Sequence, residues 1–174
     1  TTVSNMCRIF FFFFIISLLL LTSPAWANVE QRTLAPSPFG SSLQAVPQPS
    51  IDNVIDRAHQ LLGTPYTWGG ATQAQGFDCS GLLVYLFKTE ANLQLPRTTR
   101  AMQRSSAATI KRSALEPGDA VFFKGNGRGQ VNHVGLYVGQ GKFIHSPRAG
   151  KNTRIDSLAN SYWKKNFTFA KRFH

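Results

Sequence analysis

The sequence predicts an α+β domain in which helices from the first half of the chain pack on an antiparallel sheet from the second half. Apolar residues recur at helical spacing after residue 50, and short apolar or alternating runs separated by turn residues follow residue 119. Helical patterns followed by strand patterns are typical of this fold class. The 174 residues suit one domain, and 43% hydrophobic against 16% charged residues exclude a disordered or fibrous chain.

Residues 1–27 have the pattern of a secretory signal. Arg8 precedes thirteen residues, 9–21, that are apolar apart from one serine, and the Ala-Trp-Ala run at 25–27 fits a signal-peptidase site. We therefore expect cleavage after Ala27. An uncleaved membrane anchor is the alternative, although a membrane-spanning helix usually needs about 18 or more apolar residues.

Residues 28–50 are rich in Pro, Ser and Gln and have no apolar period, which predicts an extended tether. The folded domain is expected at 51–174, a length sufficient for one hydrophobic core. Its first helix should begin after Ser50, a good N-cap, and close at Gly63. Between them, apolar residues fall at helical spacing.

Two further helices and four strands complete the predicted domain. The second helix should begin at Asp78 or Cys79, and a short third helix is predicted at 99–104. Period-two patterns bounded by turn residues predict the strands. These lie at 120–123, at 132–138, at 143–146 and along the alternating Phe167, Phe169 and Phe173.

Charge and cysteine content narrow the possible functions. Nineteen Lys and Arg against eight Asp and Glu give a net charge of +11, which favours nucleic acid, an anionic membrane or an anionic extracytoplasmic polymer. Because the signal directs the chain out of the cytoplasm, we expect no nucleic-acid partner. Removal of the signal leaves Cys79 as the one cysteine, so a disulfide framework is excluded. A lone thiol in an oxidising compartment is often a nucleophile.

Cys79 lies at the predicted start of the second helix, where unpaired N–H groups and the helix dipole favour a thiolate. A nucleophilic cysteine also needs a base, normally a histidine oriented by a third polar group. His59 and His174 are expected to be solvated, which leaves His133 and His145. A small buried cysteine is the common alternative. A zinc site is another, although these three residues lack the usual ligand spacing.

Strand pairing predicts whether the two histidines share a sheet face. They do so only if the hairpin loop has an odd number of residues, as the three-residue loop 139–141 would have. Gly141 would supply its left-handed position. His145 would then lie opposite Gly135 and diagonal to His133. A two-residue loop would place the rings on opposite faces.

Seven segments carry these candidate residues in one order along the chain. They are Gly63-Thr64-Pro65-Tyr66-Thr67-Trp68-Gly69-Gly70, Phe77-Asp78-Cys79-Ser80-Gly81-Leu82, Leu95-Pro96-Arg97-Thr98, Pro117-Gly118-Asp119, His133-Val134-Gly135-Leu136-Tyr137, Ile144-His145-Ser146-Pro147-Arg148 and Ser161-Tyr162-Trp163. In order, residue type and spacing they resemble the NlpC-type, papain-like cysteine peptidases of bacterial cell walls. The resemblance covers residues 51–173. Within the family, the chain looks most like the exported murein endopeptidases of Gram-negative bacteria.

The resemblance implies a papain-like fold and a role for each matching residue. Cys79 would be the nucleophile, His133 its base and His145 the group that orients His133. Tyr66 would help to stabilise the tetrahedral oxyanion, together with the backbone N–H of Cys79. The groove for the charged stem peptide would be lined by Asp78, Ser80 and Arg97. A helix cap for Asp78 and a surface charge for Arg97 are the alternatives.

The implied activity is cleavage of peptidoglycan stem peptides through a thioester, by an endopeptidase associated with the cell wall in the periplasm. The resemblance to murein endopeptidases favours the D-alanyl–diaminopimelate cross-link over the γ-D-glutamyl–diaminopimelate bond. A related cysteine amidase or acyltransferase and a non-catalytic wall-binding module are the alternatives. We expect a monomer that acts on peptidoglycan and uses no metal and no cofactor.

Overall fold

The structure is a computed structural model, and it describes residues 50–125 and 129–174. The predicted signal and all but the last residue of the predicted tether lie outside these residues. A single 3₁₀ turn, Arg112–Ala114, accompanies the four α-helices and eight β-strands of the described part. These are α1 (Ile51–Gln60), β1 (Ala71–Thr72), β2 (Gly76–Phe77), α2 (Cys79–Ala91), α3 (Thr99–Arg104), β3 (Ala108–Ile110), β4 (Ala120–Lys124), β5 (Val131–Gly139), β6 (Lys142–His145), β7 (Arg154–Ser157), α4 (Ser161–Asn166) and β8 (Phe167–Arg172).

Helix α2 is the central helix of the domain. Asp78 caps its start, because Asp78 Oδ1 accepts the N–H of Gly81 at 2.6 Å. Its sequence is apolar on most sides, and accordingly its middle is buried between α1 and the sheet. A Cβ at Gly81 would collide with the carbonyl oxygen of Gly70, so this helix start requires a glycine. The start of α2 is thereby fixed against the preceding loop.

The six-stranded sheet has the order β3-β8-β4-β5-β6-β7, and every neighbouring pair is antiparallel. Helices α1, α2 and α3 pack on one face of it, which confirms the predicted α+β class. The opposite face carries a second apolar cluster, against which Trp163 of α4 packs. Side chains alternate between these faces along each strand, so His133 lies on the side of the second cluster.

The β5–β6 hairpin places the two histidines on one face of the sheet, but its turn and strand register differ from the prediction. Gly139 pairs with Lys142, so the turn has two residues, Gln140 and Gly141, which both have positive φ angles. The register shifts by one residue between Tyr137 and Gly139. This β-bulge adds one residue to β5. The number of residues between the matching positions of the two strands is therefore odd again, as a shared face requires. The three-residue loop was therefore wrong, while the shared face is correct.

Boundaries of the predicted elements agree with the structure to within a few residues. Helices α1 and α3 begin where predicted, and Ser50 Oγ caps α1 by accepting the N–H of Asn53 at 3.2 Å. Strand β7, strand β3 and helix α4 were not predicted, because they are short and β7 carries two charged residues in four. In the described residues, no helix has the length and apolar character to cross a membrane.

Candidate active site

Cys79 lies at the first position of α2, in a cleft formed by two adjoining cavities. The cavities have volumes of about 650 and 880 Å³, and both are lined by Cys79, Tyr66, Trp68 and Asn132. The cleft therefore extends to both sides of the thiol. Such a groove can hold a chain on each side of a reacting atom.

The surroundings of the Cys79 sulfur act on it in opposite directions. The hydroxyl of Thr99, at the start of α3, lies 3.5 Å from Sγ. Burial raises the pKa of the thiol, and the carboxylate of Asp78 raises it further. Hydrogen bonds from Thr99 and from the backbone N–H groups of Val134 and Ser80 oppose this rise. The net effect is a raised pKa, so the expected stabilisation of the thiolate at the helix start does not prevail.

The backbone N–H of Val134 also shows how near the sulfur lies to strand β5, since His133 is the preceding residue. His133 follows a second irregularity of this strand, where Val131 and Asn132 together lie opposite Lys124. A bulge at such a position changes the direction of the neighbouring side chains. His133 and Cys79 both line the smaller cavity.

His133 and His145 form a hydrogen-bonded pair. Nε2 of His133 lies 2.7 Å from Nδ1 of His145, with the rings at 81° to each other. His145 is completely buried, and Nε2 on its other side lies 2.9 Å from Oδ2 of Asp156. The predicted proximity of the two rings is confirmed. Since Nε2 of His133 is engaged, Nδ1 is the nitrogen that remains for the thiol.

Asp156 and Trp163 complete this arrangement. The indole Nε1–H of Trp163 donates to Oδ2 of Asp156 at 3.0 Å, and the Trp163 ring stacks on His133 at 5.6 Å. Arg154 donates to the same oxygen through Nε and Nη2, at 3.1 and 2.9 Å. Our sequence reasoning missed Asp156, because it predicted no strand there. The alternation Arg154-Ile155-Asp156 was the available signal.

Burial determines the charge state of the two rings. Burial, with smaller effects of His145 and Arg154, lowers the pKa of His133 to about 3, although Asp156 acts in the opposite direction. Burial also lowers the pKa of His145, although its hydrogen bond to Asp156 opposes this. Burial would raise the pKa of Asp156, but hydrogen bonds from His145 and Arg154 bring it to about 2. At neutral pH two neutral imidazoles therefore lie behind the thiol, next to a carboxylate.

Tyr66 lines both cavities beside Cys79. Burial raises the pKa of its hydroxyl, and the neighbouring Cys79 and Asp78 raise it further. The hydroxyl consequently keeps its proton at neutral pH and can donate it in a hydrogen bond. The backbone N–H of Cys79 belongs to the first turn of α2, where such groups have no partner within the helix.

Asp78, Ser80 and Arg97 meet on the other side of the thiol, in the larger cavity. Arg97 binds both carboxylate oxygens of Asp78, at 3.1 and 2.8 Å, and its Nη1 also donates to Ser80 Oγ at 3.1 Å. Asp78 Oδ2 accepts the N–H of Gly69 as well. The acceptor sites of Asp78 are thus largely occupied, and it caps α2. Arg97, whose side chain is 39% exposed, is the member most open to a ligand.

The other two histidines are exposed, His59 on α1 and His174 at the last position. In residues 50–125 and 129–174, no three His, Cys, Asp or Glu side chains are grouped so as to hold a metal ion. The side chains around Cys79 could together support acyl transfer. These are a thiol, a neutral imidazole, an orienting partner for that imidazole and donors for an oxyanion.

Comparison with known proteins gives a consistent result. The NlpC/P60 family model matches residues 63–172. The murein DD-endopeptidase MepH of Escherichia coli is 41% identical over 145 residues, which is 83% of this chain and 54% of MepH. A gamma-DL-glutamyl hydrolase of Bacillus subtilis is 37% identical over 69% of this chain and 29% of its own length.

A solved structure of an NlpC/P60 family protein from Bacillus cereus is also similar. It has a TM-score of 0.66 and 33% identity, and the match covers 74% of this chain and 41% of that protein. In each of these comparisons the chain spans little more than half of its relative, or less.

Proposed function

Because this chain belongs to the NlpC/P60 family, we propose that it is a cysteine-type peptidase that cleaves amide bonds in peptidoglycan stem peptides. The observation that carries the proposal is the hydrogen-bonded His133–His145 pair, whose first ring lines the same groove as the thiol of Cys79. A structural cysteine needs neither the groove nor the ordered histidines. Roles for the individual residues follow from their geometry.

In the first step Sγ of Cys79 attacks the carbonyl carbon of the scissile amide, and the thiol proton moves to Nδ1 of His133. Negative charge develops on the carbonyl oxygen, where the N–H of Cys79 and the hydroxyl of Tyr66 can donate hydrogen bonds. His133 then gives its proton to the leaving amine, and a thioester remains on Cys79. Water attacks the thioester, its proton passes to His133 and then to the departing sulfur, and the free thiol is restored.

The charges of the cleft support a substrate that carries carboxylates. The smaller cavity is lined by Lys124, Arg148 and Arg154, and the larger one by Arg97 and Arg100. Peptidoglycan stems carry free carboxylates from glutamate and commonly from diaminopimelate. Residues 28–174, which remain after removal of the predicted signal, have a net charge of +10, and this charge also raises the concentration of the protein near such a polymer. Arg97 is the proposed contact to a carboxylate of the stem peptide, and Asp78 and Ser80 hold its guanidinium in place.

We propose the D-alanyl–diaminopimelate cross-link as the bond that is cut. The support is the 41% identity to a protein named murein DD-endopeptidase. The γ-D-glutamyl–diaminopimelate bond is the second candidate, because a relative at 37% identity is named as a gamma-DL-glutamyl hydrolase. The two candidates leave different products, since only the second shortens the stem.

Digestion of purified sacculi, followed by mass spectrometry of the muropeptides, tests both levels of this proposal. Loss of cross-linked dimers without shortened stems is expected, and shortened stems would favour the γ-glutamyl bond instead. Release of ammonia or transfer to an added amine would indicate the amidase or acyltransferase alternative.

Two variants make the digestion decisive. Cys79→Ala removes the nucleophile and should abolish turnover without unfolding the protein. His59→Gln, on the exposed side of α1, should digest sacculi at the rate of the unsubstituted protein. Undigested sacculi with the unsubstituted protein as with Cys79→Ala would refute the enzymatic proposal and leave a wall-binding module. Digestion by Cys79→Ala at the rate of the unsubstituted protein would refute the role of the thiol.

We further propose that the chain is exported and acts in the periplasm, after cleavage of the predicted signal at Ala27. The basic residue, apolar run and small residues of positions 8–27 support this. Expression of the full chain in a Gram-negative host should give a periplasmic product that begins at Asn28. A product that sediments with membranes and retains its first 27 residues would contradict the proposal.

A further inference from the structure

One carboxylate oxygen of Asp156 lies within hydrogen-bond distance of four side-chain nitrogens, next to the histidine pair. Oδ2 of Asp156 lies 2.9 Å from Nε2 of His145, 3.0 Å from Nε1 of Trp163, and 3.1 and 2.9 Å from Nε and Nη2 of Arg154. An indole and a guanidinium can only donate hydrogen bonds, so this oxygen acts as an acceptor. The side chain of Asp156 is 23% exposed, and that of His145 is buried completely.

The direction of every hydrogen bond between Asp156 and the thiol follows from that acceptor. A carboxylate can only accept, so Nε2 of His145 must carry a proton. A neutral imidazole carries one proton, so Nδ1 of His145 is bare and accepts a hydrogen bond from His133. Nε2 of His133 therefore holds the proton of that ring, and Nδ1 of His133 is left bare.

We propose that Asp156 is a positioning residue, whose carboxylate sets the tautomer of His145 and through it keeps Nδ1 of His133 free to take the Cys79 proton. The proposal rests on the proposed function for its catalytic meaning, whereas the tautomers themselves do not depend on any substrate. Without Asp156, His145 can equally well carry its proton on Nδ1. His133 would then accept at Nε2 and be protonated on the nitrogen that serves as the base.

The surroundings hold Asp156 in this position. Strand β7 pairs with β6 so that Phe143 lies opposite Asp156 and His145 opposite Arg154, which puts all four side chains on one face of the sheet. Trp163 packs edge-on against His145 at 5.0 Å and fixes the carboxylate through its N–H. The guanidinium of Arg154 forms an ion pair with the Asp156 carboxylate. The carboxylate is thus ionised and restrained before any substrate binds.

Nitrogen-15 NMR of the full chain labelled at histidine tests the tautomers directly. His133 and His145 should both carry their proton on Nε2 at pH 7, with signals assigned from His133→Gln and His145→Gln. Asp156→Ala should introduce the Nδ1–H form in the pair. A proton on Nδ1 of either ring in the unsubstituted protein would overturn the proposal, and so would an unchanged spectrum in Asp156→Ala.

The variant Asp156→Asn separates charge from geometry. Its amide oxygen can replace Oδ2 and accept the same three partners, because each of them donates. We expect kcat to fall about 10-fold in Asp156→Asn and about 100-fold in Asp156→Ala, with KM changed by less than about twofold. Glu116→Gln, an exposed carboxylate that pairs with Arg172 far along the sheet, is the matched control and should keep full activity.

The pH profile gives a readout that a purely structural role would not move. The charged groups facing His145 are Asp156 and Arg154 from β7, and His133 faces it from β5. Asp156 raises the pKa of His145 and Arg154 lowers it, so the amide variant should shift the acid limb of kcat/KM to lower pH. An acid limb that stays in place or moves up would contradict the proposal. If NMR gives the expected tautomers while sacculi remain undigested by the unsubstituted protein, the proposed function fails and the role of Asp156 in proton placement stands.

Discussion

The neighbours of Cys79 keep its thiol protonated in the resting state, so the thiol must lose its proton during the reaction. Burial and Asp78 raise the pKa of the thiol, while burial lowers the pKa of His133 to about 3. Both groups are therefore neutral at pH 7, and in the proposed mechanism the proton moves only when the sulfur attacks. In the proposed arrangement His133 donates to His145 and His145 donates to Asp156, which leaves Nδ1 of His133 free for that transfer.

Replacements of the histidines should differ by hydrogen-bonding capacity. A glutamine at 145 can accept from His133 and donate to Asp156 with the same polarity as the neutral imidazole. His145→Gln should therefore keep more activity than His145→Ala, for which a loss of about 10²- to 10⁴-fold in kcat is expected. His133→Gln should be inactive, because an amide cannot take up a proton. Equal activity of the Gln and Ala variants at 145 in a muropeptide assay would contradict an orienting role.

Alkylation by iodoacetamide reports the ionisation of Cys79 without any substrate. Because its pKa is raised, the rate should be low at pH 6 and should increase with a midpoint above that of a free cysteine, about 8.5. Asp78→Asn keeps an N-cap residue but removes a charge that raises this pKa, so its midpoint should be lower. A rate at pH 6 that already equals the alkaline plateau would instead indicate a thiolate–imidazolium pair.

Strand β5 is the element on which the geometry of the site depends. It has a bulge at each side of His133, one against β4 at Val131–Asn132 and one against β6 before Gly139. The first precedes the base, and the second fixes which face His145 takes. Gly135 lies between the two bulges, on the same sheet face as His133. A Cβ added there would be 2.7 Å from the Phe143 ring and 3.2 Å from Cβ of His145.

Gly135→Ala should therefore move the histidine pair more than it harms the fold. Overpacking of this kind costs about 1–3 kcal/mol in the free energy of unfolding, while a displacement of about 1 Å at the base can reduce kcat by about 100-fold. Gly63→Ala is the control, because its φ of +85° makes any side chain strained but its Cβ would meet nothing within 4 Å. Urea unfolding and sacculus digestion of both variants separate the effects. Full activity in Gly135→Ala would show that the pair tolerates this contact.

The elements that could be predicted from sequence are those with a strong local signal. Helix α1 has an N-cap and apolar periodicity, and strands β4 and β5 have apolar runs between turns. Strand β7 lacks such a run, because it includes the charged residues Arg154 and Asp156. It lies at the edge of the sheet and is defined by its pairing with β6. Asp156 was missed for that reason. The bulge before Gly139 was missed as well, because a glycine-rich turn fits two loop lengths equally well.

At the scale of the whole molecule, the two histidines and Asp156 act against stability in acid. His133 and His145 have lowered pKa values, so the unfolded chain binds protons below about pH 6.5 that the folded protein does not bind until lower pH. The pKa of Asp156, about 2, extends the same effect to pH values below its ordinary pKa of 3.8. The histidine pair thus links the stability of the whole domain to the neutrality of the proposed catalytic groups.

The free energy of unfolding should consequently decrease as the pH is lowered from 7 to 4, and substitution of His133 should reduce that decrease. One group with a depressed pKa changes the free energy of unfolding by at most about 1.4 kcal/mol per pH unit. In His133→Gln this contribution is absent, so urea unfolding at pH 7, 6, 5 and 4 should give a shallower dependence than the unsubstituted protein. His59→Gln removes an exposed histidine on α1 and should leave the steeper dependence unchanged. If His133→Gln loses stability towards pH 4 as steeply as the unsubstituted protein, the ring of His133 must protonate in the folded state near its ordinary pKa. Two neutral imidazoles would then no longer describe the resting site at mildly acidic pH.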